Sequence, residues 1–178
     1  MAMITLADGT ASRVDALKEG DKIVAATADG SLTTDTVSLL SIARPEVTVD
    51  KYITLTTAAS TSLTLTPTHH LPVGPVCCST LKMAKDVSIG EVVHTVAEGK
   101  TTSTTVTAMH VAKAMGLHSP VLTNGNFPVV DGFVTSFDSI DKVTLAKHGL
   151  ASLVSACKMS GTCETLRHLF LGEDRMLI

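Results

Sequence analysis

The sequence predicts a mostly β protein made of two similar β-subdomains, closed by a short helical tail. Three observations carry that expectation. Hydrophobic residues make up 44% of the 178 residues but aromatics only 3%, with no Trp. The core must therefore be built from Val, Leu, Ile, Ala and Thr, a β-branched set that favours sheet. Gly-containing turn signals recur between short Thr/Val-rich runs. Finally, a pattern near residue 20 returns about 70 residues later. The length suits one domain with an appendage, divided here into a β-domain over 1–139 and a helical extension over 140–178.

Taken in order, Ile4-Thr5-Leu6 is a short strand and Ala7-Asp8-Gly9-Thr10 a turn, because Asp-Gly supplies the positive φ a hairpin needs. Arg13 to Leu17 leads to a second turn, Lys18-Glu19-Gly20-Asp21. Lys22 to Ala26 is a strand, and Asp29-Gly30 turns again. Ser31 to Ile42 is a long strand, and Pro45 predicts a break after it. Lys51 to Thr57 forms the next strand, with Ser62 to Thr66 as its hairpin partner.

The second half repeats the plan. Leu17-Lys18-Glu19-Gly20-Asp21-Lys22-Ile23-Val24 compares with Val87-Ser88-Ile89-Gly90-Glu91-Val92-Val93-His94. Each reads as hydrophobic, two residues, Gly, acid, then a β-branched run. Each is followed by a Gly turn, at Gly30 and Gly99, and a Thr/Val-rich strand. That offset is too long for a solenoid repeat and fits two facing subdomains. Ala108 to Ala114 is compatible with helix or strand, and strand is favoured because Thr105-Val106-Thr107 feeds it. Gly116 to Pro120 predicts a turn, and Thr123-Asn124-Gly125-Asn126 a hairpin. Phe127 to Val130 and Phe133 to Ser136 are two short strands joined through Asp131-Gly132. From about residue 140 the spacing of Leu145, Leu150, Leu153, Val154 and Cys157 is helical, with Gly161 as a breaker.

Several function classes are excluded or left unsupported. A net charge of −3 offers nothing for nucleic acid or an anionic membrane surface. No apolar run is long enough to span a bilayer, and no secretory signal opens the chain. Cys77, Cys78, Cys157 and Cys163 lack zinc-ligand spacing with nearby His, so no metal and no cofactor is expected. Neighbours such as Cys77 and Cys78 seldom bridge each other, and all four are read as buried or free thiols.

The chemistry concentrates in Ser62 to Val73. Alternating Thr and Leu give a strand with one wet and one buried face. Pro67 ends the ladder, because it has no N–H to donate. At that break stand Thr66, a hydroxyl that can hold a peptide, and His69, a side chain that exchanges a proton near neutrality. His70 is read as a companion imidazole on the surface or packed behind the site.

With these residues in hand, the chain resembles the hedgehog/intein (Hint) domain, and within that group the hedgehog-type autoprocessing domain. The likeness rests on Ile4 to Gly9 followed by Leu17 to Val24, on Thr66-Pro67-Thr68-His69, and on Ile89-Gly90-Glu91-Val92-Val93. It continues through Gly116 to Pro120, Asn124-Gly125 and Val129 to Ser136. The resemblance covers residues 2 to about 138. It implies a horseshoe of two pseudo-symmetric β-subdomains.

It also implies a single-turnover, autocatalytic, cysteine-type cleavage of the bond to an upstream segment of the chain's own precursor. A junction Cys, or Ser, adds to the preceding carbonyl. His69 is then the general acid for the leaving nitrogen, and Thr66 holds and distorts the scissile peptide. Water or another thiol resolves the thioester. A sterol is the less favoured nucleophile, because Ser41-Ile42-Ala43-Arg44 lacks the acid of the sterol-using members. Ser136-Phe137 also stands where those members have Ser-Cys. The family's nucleophile lies several residues ahead of Ile4, so the chain as it stands is expected to be inactive. A hedgehog-like precursor would place it in the secretory pathway; the sequence alone names no compartment. The alternatives are a catalytically dead Hint-like domain used for binding or folding, and an unrelated β-barrel binding protein.

Overall fold

A computed structural model describes residues 2–137 together with 156, 157 and 159–161. The strands are β1 (Met3–Thr5), β2 (Ala11–Arg13), β3 (Lys22–Ala26), β4 (Leu32–Thr57), β5 (Ser62–Leu65) and β6 (His70–Val73). They continue as β7 (Thr80–Met83), β8 (Val92–Ala97), β9 (Lys100–Leu122), β10 (Phe127–Val130) and β11 (Phe133–Val134). The sheet order β2-β1-β10-β3-β4-β9-β8-β6-β7 reads as two similar wings joined through β4 and β9. Those two long strands pair antiparallel and belong to both wings.

The sequence repeat is a structural repeat. Val14–Ala16 and Ala84–Asp86 are one-turn 3-10 helices entered and left through extended residues with nearly the same dihedrals. Gly20 N–H donates to Val37 O, and Gly90 N–H to Val106 O, both at 2.8 Å. The acids close the same turn: Asp21 Oδ2 accepts from Lys18 N, and Glu91 Oε2 from Ser88 N. Gly20 and Gly90 sit at φ 95 and 89, which explains why Gly stands at both places. The two cores draw on matching positions. Ile4, Val14, Leu17, Ile23 and Val37 pack in the first wing, and Leu71, Ala84, Val87, Val93 and Val106 in the second.

A hairpin crosses between the wings. β10 pairs with β1 and β3. β11 turns back at Asp131 (φ 48) and Gly132 (φ 77), the positive pair a two-residue primed turn requires. It then pairs with β8 through Phe133 and Thr95. Beyond it, Ser136 N–H donates to His70 O and His70 N–H to Phe137 O. The segment 133–137 thus runs beside β6 much as β10 runs beside β1.

Four local expectations are corrected. Pro45 does not end a strand: β4 is continuous, and its pairing with β9 slips between Arg44 and Thr48 instead. A Pro is tolerated where the ladder bulges. Gly116 to Pro120 is not a turn but part of β9, with Gly116 at φ 94 opposite the slipped register. Asn124-Gly125 joins β9 to β10, which do not pair with each other, so it is a corner rather than a hairpin. That corner is held by buried Asp35, whose carboxylate accepts from Asn124 N, Asn124 Nδ2 and Asn126 Nδ2.

The fourth correction concerns the cysteines. Cys77 and Cys78 form a disulfide with each other. Both are buried beside Ala26, Phe127, Val129 and Val134, a cluster drawn from both wings. Cys157 is also disulfide-bonded. The helical tail lies outside the described residues, except that Ala156, Cys157, Met159 and Ser160 are helical and Gly161 follows in a turn. The boundary at 139 lies outside them too. Among the described residues, no helix is long and apolar enough to cross a membrane.

Candidate functional site

The strand β5 delivers Thr66 to a corner, and the corner delivers His69. Leu63 and Leu65 are buried while Ser62 and Thr64 are exposed, so the Thr/Leu alternation anchors the strand by one face. Pro67 stops the ladder, and His69 N–H bonds back to Thr66 O at 3.1 Å. The far side of the corner is tied to the 3-10 turn. Lys85 N–H donates to Pro67 O and Ala84 N–H to His69 O. The block is held at both ends before any substrate arrives.

Thr66 and His69 line a cleft of about 500 Å3 together with Ala2, Asp131 and Ser136. The His69 Nε2 lies 2.9 Å from the Ser136 carbonyl oxygen. A carbonyl only accepts, so Nε2 carries the proton. Asp131 fixes the start of β1 at the same place: Met3 N–H donates to Asp131 Oδ1, and Asp131 N–H to Met3 O, both at 2.8 Å. The chain's first described residues and the candidate acid therefore border one space.

The opposite wall comes from β4 and β9. The Tyr52 hydroxyl donates to Gly116 O, which holds the wall where the strand pairing slips. Burial pushes the Tyr52 hydroxyl up. His118 also lines the cleft. Burial pushes its imidazole below the usual range, and the Asp15 carboxylate partly opposes that. Its Nε2 is buried without a hydrogen-bond partner among the described residues. Asp15 is itself held low by the Arg13 guanidinium. Asp131, Ser136 and His118 escape functional assignment in the sequence, because each reaches the cleft through pairing with a distant strand. The local signals are Asp131-Gly132 as a turn and the place of all three residues in stretches that carry the family resemblance.

Of the two places expected for His70, the surface is ruled out. The residue is 6% exposed and starts β6. Its main chain is bonded to Ser136 and Phe137, while its Nδ1 is buried without a partner among the described residues. Adjacent residues entering a strand face opposite sides, and here the inner side belongs to His70. Among the described residues, no group of three or more His, Cys, Asp or Glu could hold a metal ion.

Comparison with known proteins now bears on this arrangement. A family model described as the Hint module matches residues 1–169. The solved TvoVMA intein is similar in structure, with a TM-score of 0.63 at 17% identity over 75% of this chain and 92% of that one. A DnaB intein from Synechocystis sp. PCC 6803 has a TM-score of 0.64 at 14% identity, over 78% and 95%. A bacterial intein-like domain from Clostridium thermocellum has a TM-score of 0.60 at 16% identity, over 76% and 94%. No curated protein sequence matches. At these identities the structural likeness speaks for the fold alone, and the family model supports the Hint module without the narrower hedgehog-type assignment. The paired wings and the match across residues 1–169 establish that the chain belongs to the Hint family.

Proposed function

We propose that the chain is a self-processing domain that cleaves, once per molecule, the peptide bond joining it to an upstream segment. One observation carries the reading: Thr66, His69 and Ala2 border the same cleft. A cleavage acid has to reach the junction it serves, and the chain enters β1 beside that acid.

The reaction needs a nucleophile of the thiol or hydroxyl class, a Cys or Ser at the junction ahead of Ile4. Its sulfur or oxygen bonds to the preceding carbonyl carbon, and the carbon–nitrogen bond breaks. The proton lost by the nucleophile reaches the His69 imidazole, and Nε2 delivers one proton to the departing amine. The ring ends neutral, the amine is free, and the acyl group sits on the nucleophile. Water or an external thiol then attacks that ester or thioester, and the proton returns to the junction residue. An amide nitrogen leaves poorly as an anion, so His69 is where the barrier falls. Thr66 holds the scissile peptide. The carbonyl of Ser136 keeps the Nε2 proton at the cleft until the junction nitrogen takes its place.

The test is a precursor in which a reporter segment is joined to the chain through a Cys at successive positions ahead of Ile4. At one of those positions, dithiothreitol or hydroxylamine should release the reporter, and His69→Ala should prevent it. Failure to cleave at every position, with the fold intact by circular dichroism, overturns self-processing. It leaves the family's frame serving as a binding or folding module.

A further inference from the structure

The cleft has a feature that self-cleavage alone does not use. It is lined by the consecutive residues 63–66 of one stretch and 114–120 of another. Side chains alternate faces along a strand, so a surface that meets four successive residues meets the strand's edge. Among the described strands, β5 pairs only with β4.

The hydrogen-bond phase of β5 shows which groups that edge offers. Thr57 N–H donates to Thr61 O at 3.0 Å, a bonded pair at the hairpin end. Antiparallel pairs alternate between bonded and non-bonded. With Leu55 opposite Leu63 and Ile53 opposite Leu65, those two pairs are bonded. Thr56 with Ser62 and Thr54 with Thr64 are non-bonded. Side-chain geometry agrees, since non-bonded pairs bring side chains closest. Thr54 Oγ1 and Thr64 Oγ1 are 2.8 Å apart, and Thr56 Oγ1 and Ser62 Oγ 3.0 Å. The main-chain N–H and C=O of Thr64 therefore point away from β4. Carried two residues on, the alternation turns the Thr66 N–H the same way, while the Thr66 carbonyl accepts from His69 N–H.

We propose that the upstream segment of the precursor docks as an added β-strand on this edge of β5, its main chain bonded to Thr64 and Thr66. The inference rests on the reading that an upstream segment is the substrate, and it names the shape in which that segment is held. Ala2 lines the same cleft, so a segment fused ahead of it has the cleft within reach. A main-chain ladder reads no side-chain identity. It also presents successive carbonyls at a fixed spacing, with His69 just past the end of the ladder.

Two measurements test this. The first is a proline scan, one position at a time, of the six residues that lie two or more ahead of the junction in the cleaving precursor. Proline removes one donor, and a strand is bonded to its neighbour only at alternate residues. The Thr66 carbonyl is taken by His69 N–H, so only the Thr64 carbonyl accepts from the added strand: cleavage should fall at least about 10-fold at one position and stay within about 2-fold at the positions on either side of it. Equal losses at all positions, or none, overturn the added strand.

The second uses the same precursor with the junction Cys→Ala, which cannot cleave. By hydrogen exchange, the Thr64 amide should exchange at least about 10-fold more slowly than in the chain beginning at Met1. Unchanged exchange overturns the proposal even if the parent cleaves. A protected Thr64 in a precursor that never cleaves keeps the docked strand and rejects self-processing.

Discussion

The two wings share a frame and differ in what they carry at one position. Val14 N–H donates to Ala2 O at 3.0 Å, and Ala84 N–H donates to His69 O at 2.9 Å. One step further, Asp131 N–H donates to Met3 O, and Ser136 N–H to His70 O. By this bonding, Ala2 in the first wing stands where His69 stands in the second. The first wing brings the start of the described chain to the cleft, and the second brings an imidazole. The repeated scaffold thus brings two equivalent strand starts to one cleft, and of the two only the second carries an ionisable side chain.

The strongest way to break that comparison is to make the two strand starts alike. His69→Ala gives the second wing the residue of the first. In a cleaving precursor it should slow cleavage by about 10²–10⁴-fold, the usual share of a general acid. Far-UV circular dichroism should be unchanged, because the corner's main-chain bonds remain. Thr66→Ala should slow cleavage less. His70→Ala should do the reverse. It removes a buried side chain, so it should lower stability by about 1–3 kcal/mol and leave the cleavage rate of the folded precursor near that of the parent. A cleavage loss in His70→Ala larger than in His69→Ala would move the acid by one residue.

What is legible in the sequence follows from what is local. The turns at Gly20-Asp21 and Gly90-Glu91, the strand Lys22 to Ala26 and the Asp131-Gly132 hairpin depend on neighbouring residues, and the sequence carries those rules. Thr66-x-x-His69 is visible because Pro67 marks the corner chemically. Long-range effects stay hidden. Pro45 reads as a breaker, yet β9 pairs on both sides of it and the strand passes through as a register slip. Gly116 reads as a turn for the same reason. Asn124-Gly125 has hairpin composition, but Asp35, nearly 90 residues away, holds it as a corner. Cys77 and Cys78 read as thiols because local geometry disfavours a bridge between neighbours.

Asp35 sharpens the comparison from the first wing. It pairs with Ile23, and its equivalent is Thr104, which pairs with Val93. Only the first wing uses this position to pin the β9–β10 corner. Asp35 is 2% exposed, and Asp35→Ala strands the Asn124 and Asn126 donors. The loss should be about 2–4 kcal/mol in urea unfolding. Thr104→Ala should cost under about 1 kcal/mol. Equal losses would mean that the corner is held by something else.

Gly20→Ala and Gly90→Ala test the shared part. Both sites have positive φ, and an added Cβ meets nothing within 4 Å at either. Only backbone strain remains, about 1–2 kcal/mol at each. The two losses should agree within a few tenths of a kcal/mol; a gap larger than about 1 kcal/mol would show that the turns bear different loads. Gly30→Ala should cost more than either, because its Cβ would meet Cys77 Cβ at 3.0 Å.

The smallest effect compares Val24 with His94, equivalent residues on β3 and β8. His94 is 2% exposed, its Nε2 lacks a partner among the described residues, and its Nδ1 lies 3.4 Å from Ser103 Oγ. Burial pushes its imidazole below the ordinary value of 6.5, and the Gly74 main chain partly opposes the shift. The folded chain therefore binds fewer protons than the unfolded chain as pH falls through 6.5. Stability follows the difference in bound protons, so it rises with pH across this window and is lost as pH falls through the folded value. His118 is depressed in the same sense and should leave part of the slope in place. His94→Val installs the first wing's residue. Near pH 8 the neutral ring and valine should differ by no more than about 1 kcal/mol, since the ring's hydrogen-bond contact with Ser103 is long and Ser103 is exposed, free to bond water instead. Between pH 6.5 and 5 the variant should lose less stability than the parent, and its melting curve should flatten against pH. Parallel pH profiles for the two proteins would mean that His94 is not held neutral by its burial.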